Sequence, residues 1–516
     1  MRPAGLLPAL LLACAGCAGA PLGGSPVSAV PPAPSSAIGM PASPLPTTRS
    51  VSIRIDAAVS HQVMEGFGAS TTEWFEPETG EDLMGTLRPR VIEAVYGQIG
   101  ITMGHLDVSP FERFDPVTRT TANDNDDPFT FDWTAFNFVR SNGQKTGIVD
   151  LARPYGFDNF TIHGGTNARW ADPWLADLRR SNYRRYLDEM TENVLAPLVY
   201  WRDHFGIVTR WHHLFNEPIS GNGELGGGGL QEVVDLVKSV GARLRREGFA
   251  LKMVVASEES EETSLAAARA ILADSEARAY VGAISYHTYP YGSVYSQISR
   301  ILDTSGQGRP DPERIKVRND LRDLAARYGM QVWMTEVSHG RAGYLDTLRG
   351  RAIHIHDELR YADASSYWGM FQAWDSLAPR GGSCDEDCLV YFNRVRGTVS
   401  IGGIGRAIGH YARWVKRGAV RIEATSDDPL VLVSAFRDDA RERTVAVVIN
   451  NHPDPVALTL RGAGPAPGAG ASELSGEQSS AEGAWVALAP SAQQADGSFE
   501  IVLPARSVAS LVMPGR

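Results

Sequence analysis

A parallel (β/α)8 barrel (TIM barrel) with an attached, discontinuous β-sandwich side domain is the architecture this sequence predicts. Three observations lead there. Between residues 63 and 411, short apolar runs alternate with amphipathic helical stretches, and eight such runs can be traced. Beyond residue 412 the helical period gives way to short alternating runs spaced by Gly, Pro, Asp and Asn. A further alternating run, Val51–Asp56, stands ahead of the barrel and is expected to pair with the C-terminal sheet.

In chain order, residues 1–17 read as an export signal. Arg2 precedes an apolar run, Leu6–Ala13, followed by the small residues Ala15, Gly16 and Cys17. That run is too short for a hydrocarbon core about 30 Å thick. Cys17 after Ala-Gly resembles a bacterial lipoprotein processing site, with Cys14 as a competing position. Lipid anchoring at the cell envelope is therefore expected, with plain secretion as the alternative. Residues 18–50 are rich in Pro, Ala and Ser and read as an extended tether. Residues 51–62 are assigned as the first strand of the side domain, 63–411 to the barrel and 412–516 to the rest of the side domain.

The barrel strands are expected at Val63–Phe67, Thr102–Asp107, Asn159–His163, Arg210–Phe215, Lys252–Ala256, Ala283–Tyr286, Val332–Thr335 and Ser366–Phe371. Helices are expected at Asn182–Leu198, Leu230–Glu247 and Arg314–Tyr328. In the side domain, strands are expected near Val420–Ala424, Leu430–Phe436, Thr444–Asn450 and Phe499–Leu503, with Gly462–Gly483 as a long loop.

Charge narrows the partners. Lys plus Arg number 49 against 60 Asp plus Glu, a net charge of -11, which repels phosphate backbones and argues against nucleic acid. Eleven Trp and sixteen Tyr permit stacking on flat apolar faces such as sugar rings. Cys384 and Cys388 are expected to form a local disulfide outside the cell. The glycines of Gly221–Gly229 lack the Lys-Ser/Thr of a phosphate loop, and Asn123–Asp127 lacks the spacing of an EF-hand. No metal and no cofactor are expected, and the chain is expected to be a monomer.

Two strand ends carry the chemistry. Glu217, in Asn216-Glu217-Pro218, follows the fourth run, and Glu336 follows Val332-Trp-Met-Thr at the seventh. A carboxylate straight after a buried strand is costly in a dry interior, but tolerable at the C-terminal mouth of a barrel. Strands four and seven stand nearly opposite each other, so the two groups are expected to face one another across the mouth. Paired carboxyls about 5–5.5 Å apart serve double displacement at an anomeric carbon.

These motifs resemble the acid/base and nucleophile segments of clan A glycoside hydrolases. More narrowly, Glu65-Gly-Phe-Gly-Ala-Ser70, Trp333-Met-Thr-Glu-Val-Ser338 and Ala407–Ile422 resemble glycoside hydrolase family 30. The resemblance implies a retaining enzyme acting on a polysaccharide or oligosaccharide with β-glucosyl, β-xylosyl or β-1,6-linked units. Glu217 would be the acid/base and Glu336 the nucleophile, with Asn216 on the sugar 2-hydroxyl. His287 or Tyr289 would donate to Glu336. Trp374, Trp170 and Trp74 would line the cleft. Glu258, after the fifth strand, reads as either a substrate contact or a cap on the next helix. The alternative to catalysis is a silent carbohydrate-binding barrel.

Overall fold

The computed structural model describes residues 48–70, 84–107, 111–112, 122–137, 144–157, 159–163, 173–220, 225, 228–289, 312–337, 344–376, 388–462 and 472–515. The segments expected to be an export signal and most of a tether, together with Trp74, Trp170, Cys384 and most of Gly221–Gly229, lie outside the described residues. Within them, no helix is long and apolar enough to cross a membrane.

The first strand, β1 (Arg49–Val63), belongs to the side domain. The barrel follows as β2 (Gly66–Ser70), β3 (Met103–Asp107), β4 (Asn159–His163), β5 (Trp211–His213), β6 (Lys252–Val255), β7 (Val281–His287), β8 (Gln331–Glu336) and β9 (Ser366–Asp375). Each pairs in parallel with the next. The ring closes because β9 pairs in parallel with both β8 and β2. The barrel expected from the alternation of strand and helix patterns is therefore present. Its first strand is rich in glycine for a steric reason: a Cβ on Gly68 would stand 2.7 Å from the Met103 carbonyl oxygen on the neighbouring strand.

Inward-pointing side chains plug the ring. Trp211, Trp333 and Trp368 are buried there with Met103, Val254 and Ala283, and the Trp211 and Trp333 rings meet edge to face at 4.8 Å. Outward residues pack under the helices. The principal ones are α1 (Tyr183–Phe205), α2 (Leu230–Arg246), α3 (Glu261–Ala273), α4 (Pro312–Tyr328), α5 (Tyr344–Tyr361) and α6 (Gly403–Ala412). Asn182 caps α1 by accepting the Arg185 N–H at 3.2 Å, and Gly206 ends it in the left-handed region at φ 63°.

Several boundaries differ from expectation. The first barrel strand begins at Gly66 rather than Val63, because Val63 still pairs with Val420 in the side sheet. The eighth strand runs past Phe371 to Asp375, since its second half pairs with β10 (Cys388–Asn393), which turns back through β11 (Thr398–Ile401). Cys388 is disulfide-bonded. In the side domain, β12 (Val420–Ser426), β13 (Val431–Asp438), β14 (Arg443–Asn450), β15 (Val456–Arg461), β16 (Glu473–Ser480), β17 (Gly483–Ala487), β18 (Phe499–Leu503) and β19 (Ser507–Pro514) join β1 in the order β17-β16-β19-β14-β13-β12-β1-β15-β18. The loop expected over Gly462–Gly483 contains β16. Its sequence, Glu473-Leu-Ser-Gly-Glu-Gln-Ser-Ser, has no apolar run, and it is held by ladder bonds to β19 instead.

The side sheet has its own core, with Val51, Ile53 and Ile55 of β1 packed among Ile422, Leu458, Leu460 and Leu511. It docks on α5 and α6 through buried histidines. His410 Nδ1 and Nε2 each lie 2.8 Å from a serine hydroxyl, those of Ser510 and Ser479, and His356 Nδ1 lies 2.8 Å from that of Ser434. Burial pushes both imidazoles down to about 3, so they bridge as neutral groups. A cavity of about 370 Å³ opens at this seam, lined by His61, Arg360, Arg421 and Glu423 among others, and by none of the candidate site residues.

A buried charge cluster fastens the strands carrying the site to their helices. Glu358 on α5 accepts from Arg318 of α4, from the Tyr286 hydroxyl of β7, and from His354 Nε2 at 3.0 Å. Burial opposes the Glu358 charge, but Arg318, His354 and Tyr286 outweigh it and hold the carboxyl down to about 2. Arg318 also pairs with Glu261 at 3.4 Å. Arg314 spans from Glu261 at 2.7 Å to the Thr288 carbonyl at 3.3 Å, and Arg351 reaches the Val337 carbonyl at 3.4 Å. Those carbonyls directly follow the ends of β7 and β8. Glu358→Ala removes the nearer of the two carboxylates that neutralise the buried Arg318, leaving it Glu261 at 3.4 Å, and should lower unfolding free energy by about 3 kcal/mol in urea melts at pH 7. A folded-state value below the ordinary carboxylate value of about 4.3 means this contribution is present above that pH and lost as pH falls toward 2. The gap between wild type and variant should therefore close on acidification.

Candidate active site

The mouth of the barrel is where the two glutamates meet. β5 stops at His213, and the chain passes Leu214, Phe215 and the half-buried Asn216 before reaching Glu217. Glu217 sits in the left-handed region at φ 49°, and its N–H donates to the Ser257 carbonyl at 2.7 Å. At the adjoining strand end Ala256 is also left-handed, at φ 68°. Such conformations cost side-chain-bearing residues on the order of 1 kcal/mol each and persist where surrounding bonds over-determine them.

Glu336 ends β8. A register shift between Met334 and Glu336 marks a bulge, and it brings Glu336 opposite His287 at the end of β7. Bulges of this kind re-aim a side chain at the end of a ladder. One oxygen of Glu217, one ring nitrogen of His287 and one oxygen of Glu336 lie within 4.8 Å of one another. Both carboxylates are partly open to solvent, whereas His287 is fully buried.

Each carboxylate has its own donor. The Tyr289 hydroxyl donates to Glu336 Oε1 at 2.9 Å, and its oxygen is 3.6 Å from the Met370 sulfur. His287 Nδ1 lies 2.9 Å from Glu217 Oε1. The expectation that His287 serves Glu336 needs correction: its hydrogen bond goes to Glu217. Alternation along β7 explains why. Tyr286 turns outward to Glu358, so His287 turns into the barrel, where the turn after β5 presents Glu217. Burial disfavours a charged His287, but the charge of Glu336, the hydrogen bond and charge of Glu217, and the charge of Glu258 outweigh it and raise its pKa. The imidazole thus keeps the proton it offers to Glu217 above the ordinary histidine range.

Glu258 plays neither of the parts expected of it. Ser260 caps α3, in a capping box with Thr263. The Glu258 carboxyl instead accepts the Ile219 N–H, at 3.2 Å from each oxygen, and the Ser220 N–H. Burial pushes it up to about 7, and the two amides, His287 and Glu217 modulate that rise. Beneath the site, His213 Nε2, the Ser257 hydroxyl and the Ser285 hydroxyl form a buried chain.

Trp374 lies inside β9 rather than after it, half-buried, with its ring 5.5 Å from that of Phe371. Asn216 adjoins Glu217 in the chain. Trp74 and Trp170 lie outside the described residues. Sequence reasoning missed Asp375, which ends β9 and pairs with Arg394 at 2.8 Å across a hairpin that carries no strong strand signal. It also missed Met370, which has no chemical signature until Tyr289 is placed beside it.

Set beside known proteins, residues 418–511 match the model of the glycosyl hydrolase family 30 beta sandwich domain. No curated protein sequence matches the chain. Among solved structures, the chain is similar to a family 30 endoxylanase from Clostridium papyrosolvens C71, at 18% identity and a TM-score of 0.59, over 90% of this chain and 100% of that one. It is similar to the family 30 subfamily 8 xylanase from Clostridium acetobutylicum, at 18% identity and a TM-score of 0.62, over the same shares. An endo-β1,6-glucanase matches at 15% identity and a TM-score of 0.57, over 90% of this chain and 94% of that one. The chain is thus similar to glycoside hydrolase family 30 in its side domain and in its whole fold, as its motifs suggested. These findings together support a glycoside hydrolase. At these identities the solved structures establish the fold, and their substrates are their own.

Tyr289→Phe removes a hydrogen bond to a charged group, worth about 1.5–3 kcal/mol. If the bond serves the reacting carboxylate, kcat should fall by about 10- to 100-fold with KM nearly unchanged, measured on whichever glycan the wild type cleaves.

Proposed function

We propose that this chain is a retaining glycoside hydrolase that cleaves a β-linked glycan by double displacement. The spacing at the mouth carries the reading. Oxygens of Glu217 and Glu336 within 4.8 Å of each other suit carboxyls about 5–5.5 Å apart, as retaining enzymes use, better than the about 6.5–9.5 Å of inverting ones. Glu336 attacks the anomeric carbon, forming an ester bond as the glycosidic C–O bond breaks. Glu217 gives its proton to the departing oxygen. In the second step Glu217 takes a proton from water, whose oxygen displaces Glu336 and restores the starting configuration. Tyr289 holds Glu336 in place and His287 orients Glu217, and Asn216 is assigned to the sugar 2-hydroxyl, a contact that would strengthen as charge develops. Trp374 is assigned as a sugar platform.

The xylanases and the endo-β1,6-glucanase of similar fold suggest β-1,4-xylan and β-1,6-glucan as the first polysaccharides to try. The N-terminal run further suggests an exported protein anchored by lipid at Cys17. Cys17→Ser should then release the protein from the membrane fraction.

Glu336→Ala should abolish turnover, and azide should restore it with formation of the α-glycosyl azide. Glu217→Ala should give the β-glycosyl azide from a substrate with a good leaving group. Full activity in the Glu336 variant would sink the reading. A second reading has one observation in its favour: the same two carboxylates and imidazole are spaced to hold a divalent cation. Activity that survives exhaustive chelation, with no metal found by elemental analysis, decides for double displacement.

A further inference from the structure

Among the described residues, Glu258 is a buried acid near the pair that the proposed steps leave without a task. It is 1% exposed and sits at the end of β6, the strand after the one that delivers Glu217. Its bonds run in two directions. Its side chain accepts the N–H groups of Ile219 and Ser220, which are the turn that Glu217 begins, and that turn closes with Ser220 N–H on the Glu217 carbonyl at 3.2 Å. Its carbonyl accepts the His287 N–H at 3.0 Å, and the carbonyl of its neighbour Glu259 accepts the Tyr289 N–H at 3.1 Å. The residue is itself held. Its N–H donates to Ala256 and to the Ser264 hydroxyl, at 2.8 and 3.1 Å.

We propose that Glu258 is the positioning residue of the acid/base: by gripping the Ile219–Ser220 amides with its carboxyl and the His287 amide with its carbonyl, it sets Glu217 and the imidazole that orients it at one mutual distance. The left-handed Glu217 gives this grip a purpose. A residue in that region relaxes if the turn after it is freed, and Glu217 would then swing from the departing oxygen. Two backbone N–H groups on one buried carboxyl resist that relaxation where a loop contact with solvent would not. The charge of the carboxyl also helps to raise the pKa of His287. This inference rests on the double-displacement reading and adds a residue to it.

The experiment compares Glu258→Ala, Glu258→Gln and Glu217→Ala on two kinds of substrate, after far-UV circular dichroism and thermal melts have shown which variants fold. The probes are β-1,4-xylan or β-1,6-glucan, whichever the wild type cleaves, and the matching 2,4-dinitrophenyl β-disaccharide, whose leaving group needs no proton. Loss of general-acid help costs about 100- to 10,000-fold where it is needed. Glu258→Ala should therefore lose at least about 30-fold in kcat/KM on the polysaccharide and stay within about threefold on the activated disaccharide, the pattern expected of Glu217→Ala. Glu258→Gln keeps an acceptor oxygen for the amides but no charge. It should recover most of the polysaccharide activity, with the alkaline limb of its pH profile moved to lower pH, because His287 loses a charge that helps it keep its proton. A folded Glu258→Ala with wild-type polysaccharide activity, or with equal losses on both substrates, overturns the proposal. If Glu258→Ala does not fold, Glu258→Met, of similar length and without an acceptor, takes its place: wild-type polysaccharide activity, or equal losses on both substrates, overturns the proposal. Should Glu217→Ala keep wild-type activity on the polysaccharide, the function reading itself falls; should it lose activity while Glu258→Ala does not, only the positioning role does.

Discussion

Ring closure is the constraint on which everything else at the mouth depends. Glu217 and Glu336 come from strand ends separated by two intervening strands, and in an open sheet those ends would lie well over ten ångströms apart along one edge, at about 4.8 Å per strand. Because β9 pairs with β2 as well as β8, the sheet bends round and its edge becomes a rim. Distances across a rim are chords. The tryptophans inside the ring then set how far it can shrink, since Trp211, Trp333 and Trp368 leave the staves no room to collapse. The geometry of the site thus follows from a packed layer that no substrate would touch.

Much of this architecture was legible in the sequence, and particular residues show why. Glu217 and Glu336 stood out because a carboxylate after an apolar run is an energetic anomaly that only a rim resolves. Tyr289 was legible for its place after the sixth strand. The partner of His287 was not, because a side chain at a strand end can face either neighbour until the parity of Tyr286 is fixed, and Glu358 fixes it. Glu258 stayed ambiguous for a related reason. Its acceptors' donors are backbone amides on a turn far away in sequence, and backbone amides have no letter in a sequence. Strand β16 hid for the opposite reason: its stability comes from ladder bonds and buried serines, so it lacks an apolar pattern to read.

The polar interior is divided into two kinds of group. Some charges are matched and held, as Arg318 and Glu358 are, and these bind helices to strands. Others are kept neutral by burial, as His356 and His410 are, and these join the side domain to the barrel. The mouth is the place where neither solution is complete. Half-open carboxylates there accept from a tyrosine hydroxyl and a buried imidazole, and groups in that condition are the ones whose protonation can change during a reaction.

The long strand β1 has a temporal consequence. Ser52 bonds to Asp427 across 375 positions of chain, and the strand lies between β12 and β15 in the finished sheet. During synthesis this segment emerges first and waits for the entire barrel to follow before its neighbours exist. The side domain therefore closes last, and only when both ends of the polypeptide have arrived. A protein assembled in that way cannot complete its side sheet until the barrel residues between the two ends of that sheet have been made. It also becomes one body at the final step, when head and tail are laced into the same sheet.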